Sequence, residues 1–125
     1  MIRTSVIEQP VILVVEDEPL LRLFAAEMIE DAGYAVIDVG SAGEAIAVLE
    51  LRSDVRVVFT NVDMPGEIDG IKLAAHVRDR WPPIEIIITS GRPWPFGAIL
   101  PQNAVFFTKP YRQAHIISTI QRMAG

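Results

Sequence analysis

Polar residues follow the apolar runs of this chain, and their types suit phosphate and metal chemistry. Each group lies directly after a short apolar segment that is typical of a buried strand. Paired carboxylates favour a hard cation such as Mg²⁺, and a lysine or a hydroxyl can hold phosphate oxygens. The groups are Glu16 and Asp17, then Thr60, Asn61 and Asp63, then Thr89 and Ser90, and finally Thr108 and Lys109.

A nucleophile is the one part that this set lacks. An aspartate carboxylate can attack phosphorus and become an acyl phosphate. Asn61 stands at the end of the apolar run of residues 55–59, and its amide is neutral and poorly nucleophilic. The sequence therefore predicts a phosphate-type pocket with an amide in the place of the attacking group.

Alternating strands and helices must position these residues. Strands are predicted at 11–15, 34–39, 55–60, 84–90 and 104–110, with helices over 20–33, 41–50, 69–81 and 112–125. Pro19 suits the first turn of the first helix and Gly33 its end. Ser41 and Glu44 have the spacing of a capping box for the second helix.

Periodicity predicts the buried faces of two helices. In the third helix, the inward positions are Ile71, Leu73, Ala74 and Val77. In the first helix, the predicted inward positions are Leu20, Leu23, Phe24, Met28 and Ile29.

This alternation predicts an α/β fold, a flavodoxin-like, doubly wound sheet of five parallel strands in the order 2-1-3-4-5. Residues 90–103, "SGRPWPFGAILPQN", hold three prolines and two glycines where a fourth helix would lie. Proline disfavours a helix interior, so we expect a proline-rich loop there. Residues 1–125 are expected to form a single domain without an output domain.

Composition excludes several classes of function. The chain has 125 residues, a net charge of −5 and no cysteine. The negative charge disfavours nucleic-acid and anionic-membrane binding. The absence of cysteine excludes disulfides and thiolate chemistry. The chain shows neither a signal-peptide pattern nor an apolar run of the ~18 residues of a membrane helix, so we expect a cytoplasmic protein.

The sequence resembles the receiver domain of response regulators in bacterial two-component signalling, of the chemotaxis-receiver type. Four motifs carry the resemblance: "VVEDEP" at 14–19, "NVDMPGEIDG" at 61–70, "ITS" at 88–90 and "TKPY" at 108–111. The combination is specific, although each motif alone is weak.

The resemblance implies roles for individual residues. Glu16 and Asp17 correspond to the acidic pair that binds Mg²⁺, and the backbone carbonyl of Asp63 to a further metal ligand. Thr89 corresponds to the switch hydroxyl. Lys109 corresponds to the phosphate-binding lysine, which precedes a proline in the cis form.

Asn61 falls on the phospho-accepting aspartate of the family. Phe106 falls on the switch residue of the fifth strand, and Tyr111 and Trp94 are candidates for switch or partner contacts. Trp94 and Phe96 either pack locally or form an exposed aromatic patch.

Three departures from the family pattern bear on function. The acceptor position holds an amide, the "MPGEIDG" spacing is one residue longer than the commonest pattern, and a proline-rich loop replaces the fourth helix. The first departure argues against normal phosphorylation and predicts weakened Mg²⁺ binding. The third argues against the family's usual signalling face.

We therefore expect a stand-alone, non-enzymatic receiver of a phosphorelay that acts by protein contact. Its expected partners are a histidine kinase or phosphotransfer protein and a downstream protein, with a homodimer as a further option. An engineered Asp-to-Asn change at position 61 in an active receiver would give the same sequence. A flavodoxin-like cofactor binder is a third alternative, disfavoured because "EDEPLL" would repel a phosphate that lacks a bridging metal.

Simpler interpretations exist for single residues. Glu16 and Asp17 also suit a helix N-terminus, where the helix dipole favours acids. Asn61 also suits a turn at a strand end. Asp63 could act as a substitute acceptor, although alternation along a strand points its side chain away from the pocket.

Overall fold

Five parallel strands form one sheet with helices on both faces. The structure, a computed structural model, describes residues 9–62, 70–91 and 104–124. The strands are β1 (Val11–Val15), β2 (Ala35–Val39), β3 (Val55–Asn61), β4 (Glu85–Ser90) and β5 (Ala104–Thr108). The helices of the described ranges are α1 (Pro19–Asp31), α2 (Ala42–Leu51), α3 (Gly70–Arg80) and α4 (Gln113–Ala124).

The order of the strands is β2-β1-β3-β4-β5, all parallel, which confirms the predicted fold class. The proline-rich loop was expected within 90–103, and residues 92–103 lie outside the described residues. None of the helices in the described ranges is long and apolar enough to span a membrane.

Side-chain alternation along the central strands divides the core between the two faces of the sheet. In β1, which is buried along its whole length, Leu13 faces the α2 and α3 side and Ile12 faces the α1 and α4 side. A strand covered on both faces must be apolar throughout. The continuous run "VILVV" therefore follows from the central place of β1 in the sheet.

Local signals set the ends of the first two helices as predicted. Pro19 is the first residue of α1, and Gly33 follows its end with a φ of 101°, a conformation that favours glycine. In α2, the Glu44 backbone N–H donates to the Ser41 hydroxyl at 3.1 Å. The Glu44 carboxylate accepts from the Gly40 N–H at 2.8 Å, so the reciprocal bond of the capping box reaches one residue further back than the usual pattern.

The predicted inward face of α1 is wrong in its main part. Leu20, Leu23 and Phe24 are 55%, 51% and 56% exposed, whereas Ala25 and Ala26 are buried together with Ile29. At about 100° per residue, the large side chains of the first turns and the Ala25–Ile29 face lie on opposite sides of the helix. The helix thus has two apolar faces, and the one with small residues packs on the sheet. Met28 is partly buried against the core.

In α3, Leu73, Ala74 and Val77 are buried and Ile71 packs partly buried against the same core, as predicted. The first residue of α3, Gly70, touches the end of β3. A Cβ placed on Gly70 would lie 2.6 Å from the Val62 Cα and would also collide with the Asn61 carbonyl. The helix can approach Asn61 this closely only because position 70 has no side chain.

Gly70→Ala is expected to lower the free energy of unfolding by about 1–3 kcal/mol, because the added methyl must displace the backbone beside Asn61. Urea unfolding followed by circular dichroism measures the change. Gly43→Ala is the matched control, since it also lies in the first turn of a helix but its nearest neighbour, the Ser41 hydroxyl, is 4.0 Å away. That control is expected to gain roughly 0.5–1 kcal/mol. A gain at position 70 as well would contradict the close-approach explanation.

Candidate functional site

The carboxyl edge of the sheet brings the predicted polar residues together. The β1–β3 register pairs Val15 with Thr60, which puts Glu16 beside the end of β3, and the β3–β4 register pairs Asn61 with Thr89. Glu16, Asn61, Thr89 and Lys109 line one cavity of about 330 Å³. The convergence follows from parallel strands, whose carboxyl ends all lie at one edge.

The Glu16 carboxylate contacts several polar groups around this cavity. Glu16 is buried, with only 6% of its surface exposed. Its Oε2 accepts from the Glu18 backbone N–H at 3.1 Å and from the Asn61 Nδ2 at 3.4 Å. The ammonium of Lys109 lies 3.8 Å from Oε1. The buried carboxylate thus has donors or a cation on both oxygens, as a buried charge requires.

Burial raises the pKa of Glu16 above its ordinary value of 4.5, and a side-chain hydrogen bond with Asp17 adds to the rise. The Glu18 N–H, the Lys109 charge and the Asn61 amide act in the opposite direction but do not cancel it. Because its pKa is raised, Glu16 holds its proton more tightly in the folded chain than in the unfolded chain. Protonation of Glu16 therefore stabilises the folded state below pH 4.5. That contribution to stability is lost as pH rises through the raised pKa.

Asn61 is the last residue of β3 and is 7% exposed. The backbone around it is held on both sides. The Thr60 hydroxyl donates to the Asn61 carbonyl at 3.3 Å, and the Val62 N–H donates to the Thr89 carbonyl at 2.8 Å. The amide therefore sits at a fixed point between β1 and β4, with Nδ2 directed at Glu16.

Thr89 and Lys109 complete the polar half of the cavity. Thr89 is 1% exposed at the end of β4. The Lys109 N–H donates to the Ser90 carbonyl at 2.8 Å, which ties the segment after β5 to the end of β4. The Lys109–Pro110 peptide bond is cis, as the resemblance implied.

The other half of the cavity is apolar, and sequence reasoning missed it. It is formed by the start of α1, by β3 and by the segment after β5. Phe59 and Tyr111 meet edge to face with ring centroids 6.1 Å apart. Burial raises the pKa of Tyr111, and the charge of Glu16 adds to the rise. The signal that could have found this half was Phe59, which lies two positions before Asn61 on the strand and therefore points to the same face of the sheet. The apolar lining residues are Val15, Leu21, Phe24, Ala25, Phe59, Pro110 and Tyr111.

Other predicted site residues lie apart from this cavity or outside the described ranges. Phe106 is partly buried against the α2 and α3 side of the core and does not line the cavity. Asp17 is partly exposed beside Glu16. Asp63 and Trp94 lie outside the described residues. Across the ranges 9–62, 70–91 and 104–124, the structure shows no group of three or more His, Cys, Asp or Glu side chains placed to hold a metal.

The family is settled by comparison with known proteins. The family model of the response regulator receiver domain matches residues 12–121, and this chain belongs to that family. The resemblance inferred from the four motifs is thus confirmed. The match favours a receiver over the flavodoxin-like cofactor binder considered above.

Individual relatives are similar to this chain in sequence and in fold. The chain is 33% identical over 116 residues to the sensor kinase CckA of Brucella abortus, covering 90% of this chain but only 12% of that protein. It is 28% identical over 119 residues to the response regulator receiver protein CpdR of the same organism, covering 90% of this chain and 94% of CpdR. A response regulator receiver protein from Sinorhizobium medicae superposes with a TM-score of 0.84 at 26% identity, covering 94% of this chain and 96% of the other.

Asn61→Asp is expected to destabilise the metal-free protein by about 1–3 kcal/mol at neutral pH. A second carboxylate would replace the amide that contacts Glu16 at 3.4 Å, and like charges at that distance repel. Urea unfolding in a chelating buffer measures the loss, and Mg²⁺ is expected to restore most of it. Gln121→Glu adds the same charge at an exposed position of α4 and should show neither effect. Equal stability of the Asn61→Asp and parent proteins without metal would contradict this account.

Proposed function

We propose that this chain is a two-component receiver that signals by protein contact and does not accept a phosphoryl group at position 61. The observation that carries the proposal is the Asn61 amide, which occupies the end of β3 and donates to Glu16. Glu16, Thr89 and Lys109 surround it with the groups that an aspartyl phosphate would need.

The chemistry of an amide supports this proposal. Phosphoryl transfer to a receiver forms a bond from a carboxylate oxygen to phosphorus and breaks the bond from phosphorus to the leaving group. The carboxylate brings the negative charge that makes its oxygen nucleophilic. The Asn61 amide has no such charge, and attack through its oxygen would leave a cationic product beside Lys109.

Receiver domains generally bind Mg²⁺. In this chain the residues that would hold the ion are Glu16 and Asp17, with the Asn61 side-chain oxygen and the Asp63 carbonyl. These are hard oxygen donors, so their type fits Mg²⁺, which neutralises phosphoryl oxygens when bound. We propose that the affinity for Mg²⁺ is weakened for two reasons. The site has one carboxylate fewer than it would have with an aspartate at position 61. The Asn61 Nδ2 and the Lys109 ammonium also already face Glu16.

An exposed apolar surface beside the cavity supports a role in protein contact. Leu20, Leu21, Leu23 and Phe24 are 44–56% exposed, and we call them the α1 strip. Leu21 and Phe24 also line the apolar half of the cavity, so strip and cavity are continuous. Clustered exposed apolar side chains mark interaction sites. We propose that the strip receives a histidine kinase, a phosphotransfer protein or a downstream protein, with an apolar side chain of that partner entering the cavity.

The phosphorylation test uses acetyl phosphate with Mg²⁺, read by intact mass spectrometry. The parent chain is expected to gain no phosphoryl group. The Asn61→Asp variant is expected to gain one, because Lys109, Thr89 and the acidic pair remain in place. Gln121→Glu, which adds a carboxylate outside the cavity, should stay unmodified.

Stoichiometric phosphate on the parent chain, whether at Asn61 or at Asp63, would refute the proposal. Failure of Asn61→Asp to accept phosphate would show that the pocket has lost more than its nucleophile. The codon at position 61 in the native gene separates a natural asparagine from an engineered one.

The contact test measures binding to the purified histidine kinases and phosphotransfer proteins of the source organism. Phe24→Ser is expected to weaken the strongest of these interactions by about tenfold or more, since burying a large apolar side chain contributes roughly 1.5–3 kcal/mol. Ala47→Ser is the control, because it introduces the same polar side chain at an exposed position of α2 that lines neither the cavity nor the α1 strip. Unchanged binding by Phe24→Ser would remove the α1 strip from the contact surface.

A further inference from the structure

A second groove lies at the opposite edge of the sheet from the site described above. It has a volume of about 620 Å³ and runs between the ends of α2 and α3 and the starts of β3 and β4. Its floor is apolar, formed by Leu49, Val55 and Ile84. The starts of parallel strands lie at the edge opposite to their carboxyl ends, and no described residue lines both this groove and the polar cavity. We call it the basal groove.

The walls of the basal groove combine apolar surface with positive charge. Leu51 on the rim is 86% exposed, the highest value among the exposed large apolar side chains of the described residues. Trp81, Pro82 and Pro83 also line the groove. The Arg80 guanidinium lies over the Trp81 ring, 5.2 Å from its centroid. Such stacking holds the guanidinium on the aromatic face and leaves its edge able to bind a carboxylate.

Arg56 enters this groove because of an irregularity in β3. Every other residue of β3 is buried, whereas Arg56 is exposed. The β1–β3 register passes from Val11 opposite Val55 to Ile12 opposite Val57, so Arg56 is the extra residue of a bulge. A bulge redirects one side chain out of the pleat and is often found next to a functional site. Here it places a cation on the wall of an otherwise apolar groove.

The three arginines of the groove differ in how firmly they are paired. Arg52 holds Asp54 through two bonds of 2.7 and 2.9 Å. Arg80 meets Glu50 at 3.4 Å with both side chains about half exposed, an arrangement that contributes little and exchanges readily. Arg56 makes no ion pair with any other described residue. Arg56 and Arg80 are therefore the two guanidinium groups open to a new carboxylate.

Charge complementarity identifies the kind of partner. The chain carries a net charge of −5, yet the groove brings three arginines against Glu50 and Asp54. We propose that the basal groove docks an acidic segment of a partner protein, whose carboxylates pair with Arg56 and Arg80 while a large apolar side chain rests on Leu51 and Trp81. This surface is independent of position 61 and can be occupied together with the α1 strip.

A second copy of this chain fits the groove less well. A two-fold symmetric dimer would place the same patch on both sides, so that Arg56 and Arg80 of each copy would face those of the other. Like charges opposed in this way cost free energy. The negative net charge of the chain also disfavours a nucleic acid as the occupant.

The test begins with a selection from a library of random dodecapeptides on the immobilised full chain. Enriched peptides are expected to carry two or more acidic residues around a leucine or an aromatic residue. In ¹⁵N-labelled protein, the synthesised peptides should shift the amide signals of Leu51, Arg56 and Trp81. Arg56→Glu should raise their Kd by about tenfold or more, and Arg56→Gln should have a smaller effect.

Arg122→Glu is the matched control, since it reverses the same charge at an exposed position of α4 and should change the Kd by less than about twofold. Urea unfolding checks that each variant is folded. The proposal is overturned if no acidic peptide is enriched, or if enriched peptides bind Arg56→Glu as well as the parent. It is also overturned if sedimentation shows that the parent chain self-associates and that Arg56→Glu abolishes the association, since the occupant is then a second copy.

Discussion

The buried Glu16 carboxylate is the constraint on which the site depends. A charge at this depth is stable only with donors around it, and those donors come from three parts of the chain: the residue just before α1, the end of β3 and the segment after β5. Asn61 and Lys109 are thereby fixed in relation to one another through a common partner. The pairing of β1 with β3 and of β4 with β5 is what brings these segments to one edge.

An amide at position 61 changes the electrostatics of that edge without changing its shape. With an aspartate there, Glu16 would face a second negative charge, and a cation would be needed to hold both. With Asn61, the amide donates to Glu16 and Lys109 supplies the positive charge. The site can then stay assembled without a metal ion or a phosphoryl group.

Helix α1 shows how one helix can pack on the core and still expose large apolar side chains. Its small residues, Ala25 and Ala26, allow close packing on the sheet, and Ile29 fills the remaining space. The larger side chains of its first two turns are left in solvent beside the cavity. Hydrophobicity alone ranks Leu and Phe above Ala for burial, so the sequence pattern pointed to the wrong face. Packing against the sheet favoured the smaller residues, because they let the helix axis come closer to the strands.

The strands, the helices, their order along the chain and the type of each polar residue at the strand ends could all be predicted from the amino-acid sequence. These follow from periodicity, from Pro19, Gly33 and Ser41 as local signals, and from the rule that parallel strands end at one edge. Three features could be seen only in the folded chain: Asn61 donates to Glu16, Tyr111 lines an apolar half of the cavity, and a bulge directs the Arg56 side chain into a second groove. Such features depend on distances between segments that are far apart in the chain. Local sequence does not encode those distances, because packing of the whole core sets them.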